Sequence, residues 1–217
     1  MSYLTPTMAR EAIKKMKSFH DSARDLYRNF DMDLLDNLGR RNIIMSQTQE
    51  KFFAQELATQ YAGVREDGRT GEPDIVIEEL DKELECKLTS RHRSGSISFQ
   101  SDFETLQKKG ALDYLYVIAD QEFNKFSVLL FEGLTIDDFR PLSTGARGKV
   151  AMFKHKGMKK CRQLLGNCVD LNEINIAKCK KKIADPKTTP SVKRKAKKSL
   201  SYWQETPTKY RFDLEAI

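Results

Sequence analysis

The pattern that most constrains the fold is a pair of short, strand-like stretches within residues 74–88. The first, DIVI at residues 74–77, is rich in β-branched side chains, and residues 83–88 alternate charged with apolar side chains at a period of two. The residues between them have the composition of a turn. The segment therefore predicts a β-hairpin in which Glu85 and Lys87 share one face of the second strand.

Helical and strand patterns flank this hairpin on both sides. A helix is predicted to begin after Ser46, where Ser46 and Gln49 resemble a capping box, and to end by Gly63. Residues 98–109 have apolar side chains at helical spacing, and two apolar stretches within residues 114–131 indicate buried strands. Because helices and strands follow one another in this order, we predict an α/β fold with a mixed β-sheet flanked by helices.

The sequence divides into three regions that differ in composition and in predicted secondary structure. Residues 1–45 predict an N-terminal helical region of one or two helices, interrupted near Gly39. Residues 46–140 contain the hairpin and form the predicted core. Residues 141–217 are rich in lysine and predict a basic, mainly helical region packed on that core, with a short edge strand near residues 210–214.

Charge and hydropathy limit the class of protein. The chain has 217 residues, with 38 lysines and arginines against 31 acids, and a net charge of +7 that would attract a nucleic acid. No apolar run approaches the roughly 20 residues that span a bilayer, and the first residues lack an apolar signal core. We therefore expect an intracellular, cytoplasmic protein with no membrane partner.

Several other chemistries lack their residues. The four cysteines show no paired C-x-x-C spacing, so neither a structural zinc site nor a disulfide is expected. The segment GARGKV lacks the first glycine and the final hydroxyl residue of a phosphate-binding loop, so no nucleotide cofactor is expected. The three histidines form no triad or metal pattern.

Two carboxylates and a lysine of the predicted hairpin match the needs of phosphodiester hydrolysis. That reaction requires a metal ion to neutralise charge on the phosphate and an oriented water molecule. Asp74 and Glu85 offer the hard oxygen ligands that Mg²⁺ prefers, and the backbone carbonyl of Cys86 could add a third. Lys87 would orient or deprotonate the water.

Pro73-Asp74, ten intervening residues and Glu85-Cys86-Lys87 together resemble the signature of the PD-(D/E)xK nuclease superfamily, to which restriction endonucleases belong. The resemblance extends over about residues 46–131 and implies a restriction-endonuclease-like mixed β-sheet flanked by helices. It also implies an acidic residue from the preceding helix beside the metal. Glu50 is the candidate, because it shares a helical stripe with apolar side chains, and Glu56 of the same helix is the alternative.

This resemblance implies a Mg²⁺-dependent endonuclease that hydrolyses double-stranded DNA, sequence-specifically as type II restriction enzymes do, with Mn²⁺ able to substitute. A homodimer would cut both strands of a two-fold symmetric site. Two other interpretations stay open. One is a structure-selective nuclease, such as a junction resolvase or a repair enzyme, with the same metal centre. The other is a non-catalytic DNA-binding protein in which the acidic motif lies on the surface by chance and has no catalytic role.

Two basic segments are candidate DNA contacts. The first directly follows the hairpin and comprises Arg91, His92, Arg93 and Ser94. The second comprises Arg147, Lys149, Lys154, His155 and Lys156. Their alternatives are a solvated loop and a charged helix face. The later basic run at residues 193–198 is interpreted as a solvated helix face that could also lie along a duplex, and Tyr202 and Trp203 as core residues.

Overall fold

Two compact units make up the computed structural model. It describes residues 2–67, 69, 71–91, 97–143 and 148–217. The first unit is Met1–Asn167 with Asp213–Ile217, and the second unit is Cys168–Phe212. These boundaries differ from the predicted regions, because residues 1–45 and residues 141–167 belong to the same unit as the predicted core.

The described chain contains both helices and strands throughout its length. The α-helices are α1 (Pro6–Arg28), α2 (Leu38–Ala58), α3 (Phe103–Lys109), α4 (Lys154–Gly157), α5 (Leu171–Ala184) and α6 (Pro190–Glu205), and three short 3-10 helices cover Glu78–Leu80, Ile136–Asp138 and Met158–Lys160. The strands are β1 (Val64–Glu66), β2 (Ile75–Ile77), β3 (Lys82–Ser90), β4 (Gln100–Asp102), β5 (Ala111–Ala119), β6 (Lys125–Thr135), β7 (Lys149–Ala151), β8 (Cys161–Leu165), β9 (Asn167–Asp170), β10 (Tyr210–Asp213) and β11 (Glu215–Ala216). Among the residues described, none of the helices is both long and apolar enough to cross a membrane.

A seven-stranded mixed sheet forms the centre of the first unit. Its order is β1-β2-β3-β5-β6-β11, and β8 pairs with β6 as well. The β3–β5 pair is parallel, whereas β1–β2, β2–β3 and β5–β6 are antiparallel. A parallel pair needs a crossover connection, and here the chain between β3 and β5 includes β4 and α3. The predicted hairpin and the α/β class with a mixed sheet are confirmed.

The two faces of the sheet bury different sets of side chains. One face packs with α1 and α2 in the main core, which includes Ile13, Met16, Phe53, Leu57, Ile75, Cys86, Leu115 and Val117. Because side chains alternate along a strand, Tyr114 and Tyr116 of β5 point to the opposite face. There Tyr116 makes edge-to-face contacts with Phe99 and Phe131. The sheet is thus covered on both sides.

Helix α2 begins earlier than the sequence predicts. Its cap is Asn37, whose side chain accepts a hydrogen bond from the Arg40 N–H at 3.0 Å. Ser46 lies inside the helix, and its hydroxyl donates to a backbone carbonyl three residues earlier. Gly39 is therefore part of the first helical turn and not a break, so the predicted capping box does not start this helix.

The helix predicted over residues 98–109 forms only in its second half. Asp102 caps α3 by accepting a hydrogen bond from the Thr105 N–H at 3.0 Å. The preceding residues form β4, which pairs with β7. The Tyr116 hydroxyl donates to the Gln100 carbonyl at 2.7 Å and so ties β4 to the main sheet.

The second unit contains two helices and a short strand pair. Helices α5 and α6 are joined by residues 185–189, and β9 pairs with β10. The Asn172 side chain donates to the carbonyls of Trp203 and Thr206. The two basic helices and the strand near residue 210 are confirmed here, whereas residues 149–165 contain the strands β7 and β8 and are less helical than predicted.

Candidate active site

An open strand edge positions the acidic motif. Strand β2 pairs with only the first three residues of β3, whereas β5 pairs along β3 as far as Ser90. Asp74 immediately precedes β2, and its Oδ2 accepts a hydrogen bond from the Cys86 N–H at 2.7 Å. Because the N–H and C=O of one strand residue point to the same edge, the Cys86 carbonyl also points to this open side.

Glu85 and Lys87 lie side by side on the predicted face of β3. They stand opposite Tyr114 and Tyr116 of β5 in the parallel register. The Lys87 ammonium donates a short hydrogen bond to Glu85 Oε1. Glu85 is only 8% exposed, and its Oε2 is buried with no hydrogen-bond partner in the part of the chain that the structure describes. Burying a carboxylate oxygen without a hydrogen bond costs free energy. A ligand that bound this oxygen would remove that cost.

Helix α2 brings a third carboxylate, Glu50, to the same cluster. Burial first, and the negative charge of Asp74 second, raise the pKa of Glu50 to about 7. Glu85 acts in the same direction and Lys87 opposes it. Glu50 therefore lies within electrostatic range of all three residues of the motif.

The alternative acid of α2, Glu56, lies elsewhere. Its carboxylate pairs with Lys15 of α1 at 2.6 Å and is 13% exposed. The two glutamates are six residues apart, which is about 1.7 helical turns, so they point to different sides of α2. Of these two acids, Glu50 is the one that the structure brings to Asp74 and Glu85.

The pKa values of Asp74 and Lys87 are both raised. Burial raises the pKa of Asp74 to about 6, and Glu85 adds to this effect. The pKa of Lys87 is also raised, because the attraction of Glu85 and Asp74 outweighs the opposing effect of burial. Lys87 is therefore a full ammonium at neutral pH, while three acids share one cation. A divalent cation would offset this imbalance.

The donor atoms of the cluster fit Mg²⁺, although they are not closed around a metal. Over the described ranges, no group of three or more His, Cys, Asp or Glu side chains is arranged to hold a metal ion. Two hydrogen bonds occupy oxygens that a metal would need, one from Lys87 to Glu85 and one from the Cys86 N–H to Asp74. The unpartnered Oε2 of Glu85 and the carboxylate oxygens of Asp74 and Glu50 are hard ligands of the type that Mg²⁺ prefers.

A cleft of about 230 Å³ opens beside Lys87. Its lining includes Lys87, Thr89, Gln100, Ser101, Asp102, Tyr116 and Lys149. The hydroxyl of Ser101, one of these lining residues, is hydrogen-bonded to the Tyr114 hydroxyl at 2.6 Å. Of the predicted DNA contacts, Lys149 therefore shares an opening with the ammonium of the motif.

Four of the other predicted DNA contacts lie outside the described residues: His92, Arg93, Ser94 and Arg147. The remaining ones are described and do not line this cleft. Arg91 continues β3 and donates its backbone N–H to the Ala119 carbonyl at 2.9 Å. Lys154 lies 5.8 Å from the centre of the Phe99 ring. His155 and Lys156 contact the Phe153 ring, and Lys156 also donates to the Asp137 carbonyl. None of these lines the cleft as described.

Two buried polar side chains of α2 were missed in the sequence. Arg41 is fully buried and donates to the Gln121 carbonyl at 2.5 Å and to the Ser90 hydroxyl at 2.6 Å. Gln49 donates to the Leu115 carbonyl at 2.9 Å. Their burial could have been predicted from the sequence spacing. Residues four apart share one face of a helix, and this face contains Arg41, Met45, Gln49 and Phe53. These contacts fix the position of α2, and with it Glu50, on the sheet.

Comparison of the chain with protein-family models, with curated proteins and with solved structures found no match.

Proposed function

We propose that this protein is a Mg²⁺-dependent endonuclease of the PD-(D/E)xK kind, which hydrolyses phosphodiester bonds of double-stranded DNA on a restriction-endonuclease-like fold. The observation that supports this proposal is the gathering of Glu50, Asp74 and Glu85 with Lys87 at the open edge of β3. One sequence motif and one residue from a separate helix meet at this edge.

The carboxylates of Asp74 and Glu85 and the carbonyl of Cys86 would hold the Mg²⁺, with Glu50 as the fourth donor. The ion, when bound, supplies positive charge at the scissile phosphate and a more acidic water molecule. Mn²⁺ would substitute, since carboxylate and carbonyl oxygens suit both ions.

Lys87 would act as a hydrogen-bond donor. Its raised pKa keeps it protonated at neutral pH, which favours hydrogen bonds to a phosphate oxygen or to the attacking water over removal of a proton. Glu85 holds the ammonium in position until substrate binds. Lys149, at the same cleft, would contact the adjoining backbone phosphate. A homodimer, which we also propose, would present one centre to each strand.

Incubation of supercoiled plasmid with the protein in Mg²⁺, and in EDTA, tests this function. We expect cleavage by the wild type in Mg²⁺ only, and its loss in Lys87→Ala. The matched control is Lys82→Ala, which removes a lysine of the same strand whose ammonium pairs with Asp113 at 3.1 Å. Equal behaviour of wild type and Lys87→Ala, or no cleavage by the wild type in either Mg²⁺ or Mn²⁺, overturns the proposal.

A further inference from the structure

The second unit, Cys168–Phe212, holds the net positive charge of the chain. It contains twelve of the 38 lysines and arginines and four of the 31 acids, so its net charge is +8 and that of the remaining chain is −1. The unit that contains the carboxylate cluster thus has no net attraction for a polyanion. A DNA-cutting protein with this distribution needs its electrostatic affinity from the second unit.

Most cations of helices α5 and α6 in the second unit are exposed. On α6 they are Lys193, Arg194, Lys195, Lys197 and Lys198, and only Lys193 is partly buried. A further group of four lysines lies within residues 178–182 of α5, all of them exposed. Within this unit, every residue of which is described, neither group has a carboxylate partner within ion-pair distance. Their charges are therefore available to an external anion.

The charge pattern of α6 opposes the stability of the helix. Lys193 and Lys197, and likewise Arg194 and Lys198, are like charges four residues apart, which destabilises a helix. Lys193 also lies in the first turn of α6, where the helix dipole disfavours a cation, and this turn contains no acid. A bound polyanion would offset this cost.

Packing does not require these cations either. Ala196 is buried, and Leu200 and Trp203, which share its side of α6, are partly buried. Arg194 and Lys198 lie on the outer side with Tyr202, whose side chain is 49% exposed. The outer face of α6 thus presents cations and an aromatic hydroxyl in one row.

We propose that the second unit binds the phosphate backbone of duplex DNA through the exposed cations of α5 and α6. The unit supplies affinity, and the carboxylate centre of the first unit supplies the chemistry. Lysine-rich contacts of this kind are to phosphates and give no sequence information, so base recognition belongs to other residues. The choice of duplex DNA as the anion rests on the proposed nuclease function.

The test is a full-length variant in which Arg194, Lys195, Lys197 and Lys198 are all replaced by Gln. Binding to a fluorescent duplex is measured by anisotropy in EDTA over a series of salt concentrations, so that cleavage plays no part. If each cation neutralises one phosphate, the slope of log K against log salt becomes less negative by about 3 to 4, and affinity at low salt falls at least about tenfold. Thermal unfolding should show no loss of stability, because like-charge repulsion is removed.

The matched control replaces four exposed cations of the first unit, Lys14, Arg28, Arg40 and Lys125, by Gln. It changes the net charge equally and should leave the salt slope unchanged. An unchanged slope and affinity in the α6 variant, or an equal loss in the control, overturns the proposal. A wild type that binds DNA with a steep salt slope but never cleaves it contradicts the nuclease function alone. A wild type that cleaves DNA while the α6 variant binds normally contradicts this inference alone.

Discussion

Replacing Glu50 by Gln should stabilise the metal-free protein at pH 8. Burial and the charge of Asp74 raise the pKa of Glu50 from 4.5 to about 7, so the folded state binds this proton more tightly than the unfolded chain does. The resulting stabilisation is complete below pH 4.5 and is lost as the pH rises through about 7. At pH 8 the glutamate is charged where charge is disfavoured, and Gln removes that charge with little change of shape.

The size of the effect follows from the two pKa values. The difference between 4.5 and about 7 corresponds to about 3.4 kcal/mol. Glu50 is partly exposed, and solvent screening reduces this to about 1–2 kcal/mol. For a chain of this length, the melting temperature should rise by roughly 2–8 °C.

Thermal unfolding followed by circular dichroism in EDTA, at pH 8 and pH 5, measures this effect. The Glu50→Gln variant should melt above the wild type at pH 8 and close to it at pH 5, and added Mg²⁺ should stabilise the wild type more than the variant. Glu56→Gln is the control on the same helix, and it should show no gain because it weakens the ion pair with Lys15. A lower melting temperature for Glu50→Gln at pH 8, or the same difference at both pH values, would refute the reasoning.

Three further perturbations test other contacts. Lys87→Ala should bind Mg²⁺ at least as tightly as the wild type, because it frees an oxygen of Glu85, and loss of the calorimetric binding signal would contradict this. Burial lowers the pKa of His20, so stability in urea should fall as the pH drops below the unfolded value of 6.5, and His20→Phe should remove part of that fall. An identical pH dependence of stability in the wild type and in His20→Phe would contradict this prediction. Arg41→Met should cost about 1–3 kcal/mol in urea unfolding, since it leaves the Gln121 carbonyl without its donor, and a change under about 0.5 kcal/mol would be inconsistent with that role.

The hairpin was predictable because its signal is local. A period of two in residues 83–88 requires no knowledge of the rest of the chain, and it places Glu85 and Lys87 on one face whatever the neighbouring strands are. The open edge beside Cys86 was not predictable. It depends on β2 ending its pairing after three residues while β5 continues along β3.

The start of α2 shows where local signals compete. Asn37 and Ser46 both have the chemistry of a helix cap, and the sequence pattern favoured Ser46. The structure uses Asn37, because the helical turns between them bury Arg41 and Met45 against the sheet and its loops. Tertiary contacts of this kind are not visible in a capping pattern.

The choice between Glu50 and Glu56 depends on the rotation of α2 about its axis. Apolar periodicity gives that rotation only to within about one residue, or 100°. The hydrogen bond from Gln49 to the Leu115 carbonyl and the ion pair of Glu56 with Lys15 fix it in the folded protein. The sequence also shows the lysine-rich run of the last third, but not that residues 168–212 form a unit of their own.

The most direct test of the proposed metal centre is the single-turnover rate at which Asp74→Asn cleaves a labelled duplex in Mg²⁺. Asparagine retains an acceptor for the Cys86 N–H, so the fold of the edge should be kept while the negative charge is lost. We predict a rate at least about 100-fold below that of the wild type, with unchanged DNA binding and with Glu56→Gln as fast as the wild type. Cleavage by Asp74→Asn at the wild-type rate would contradict the account.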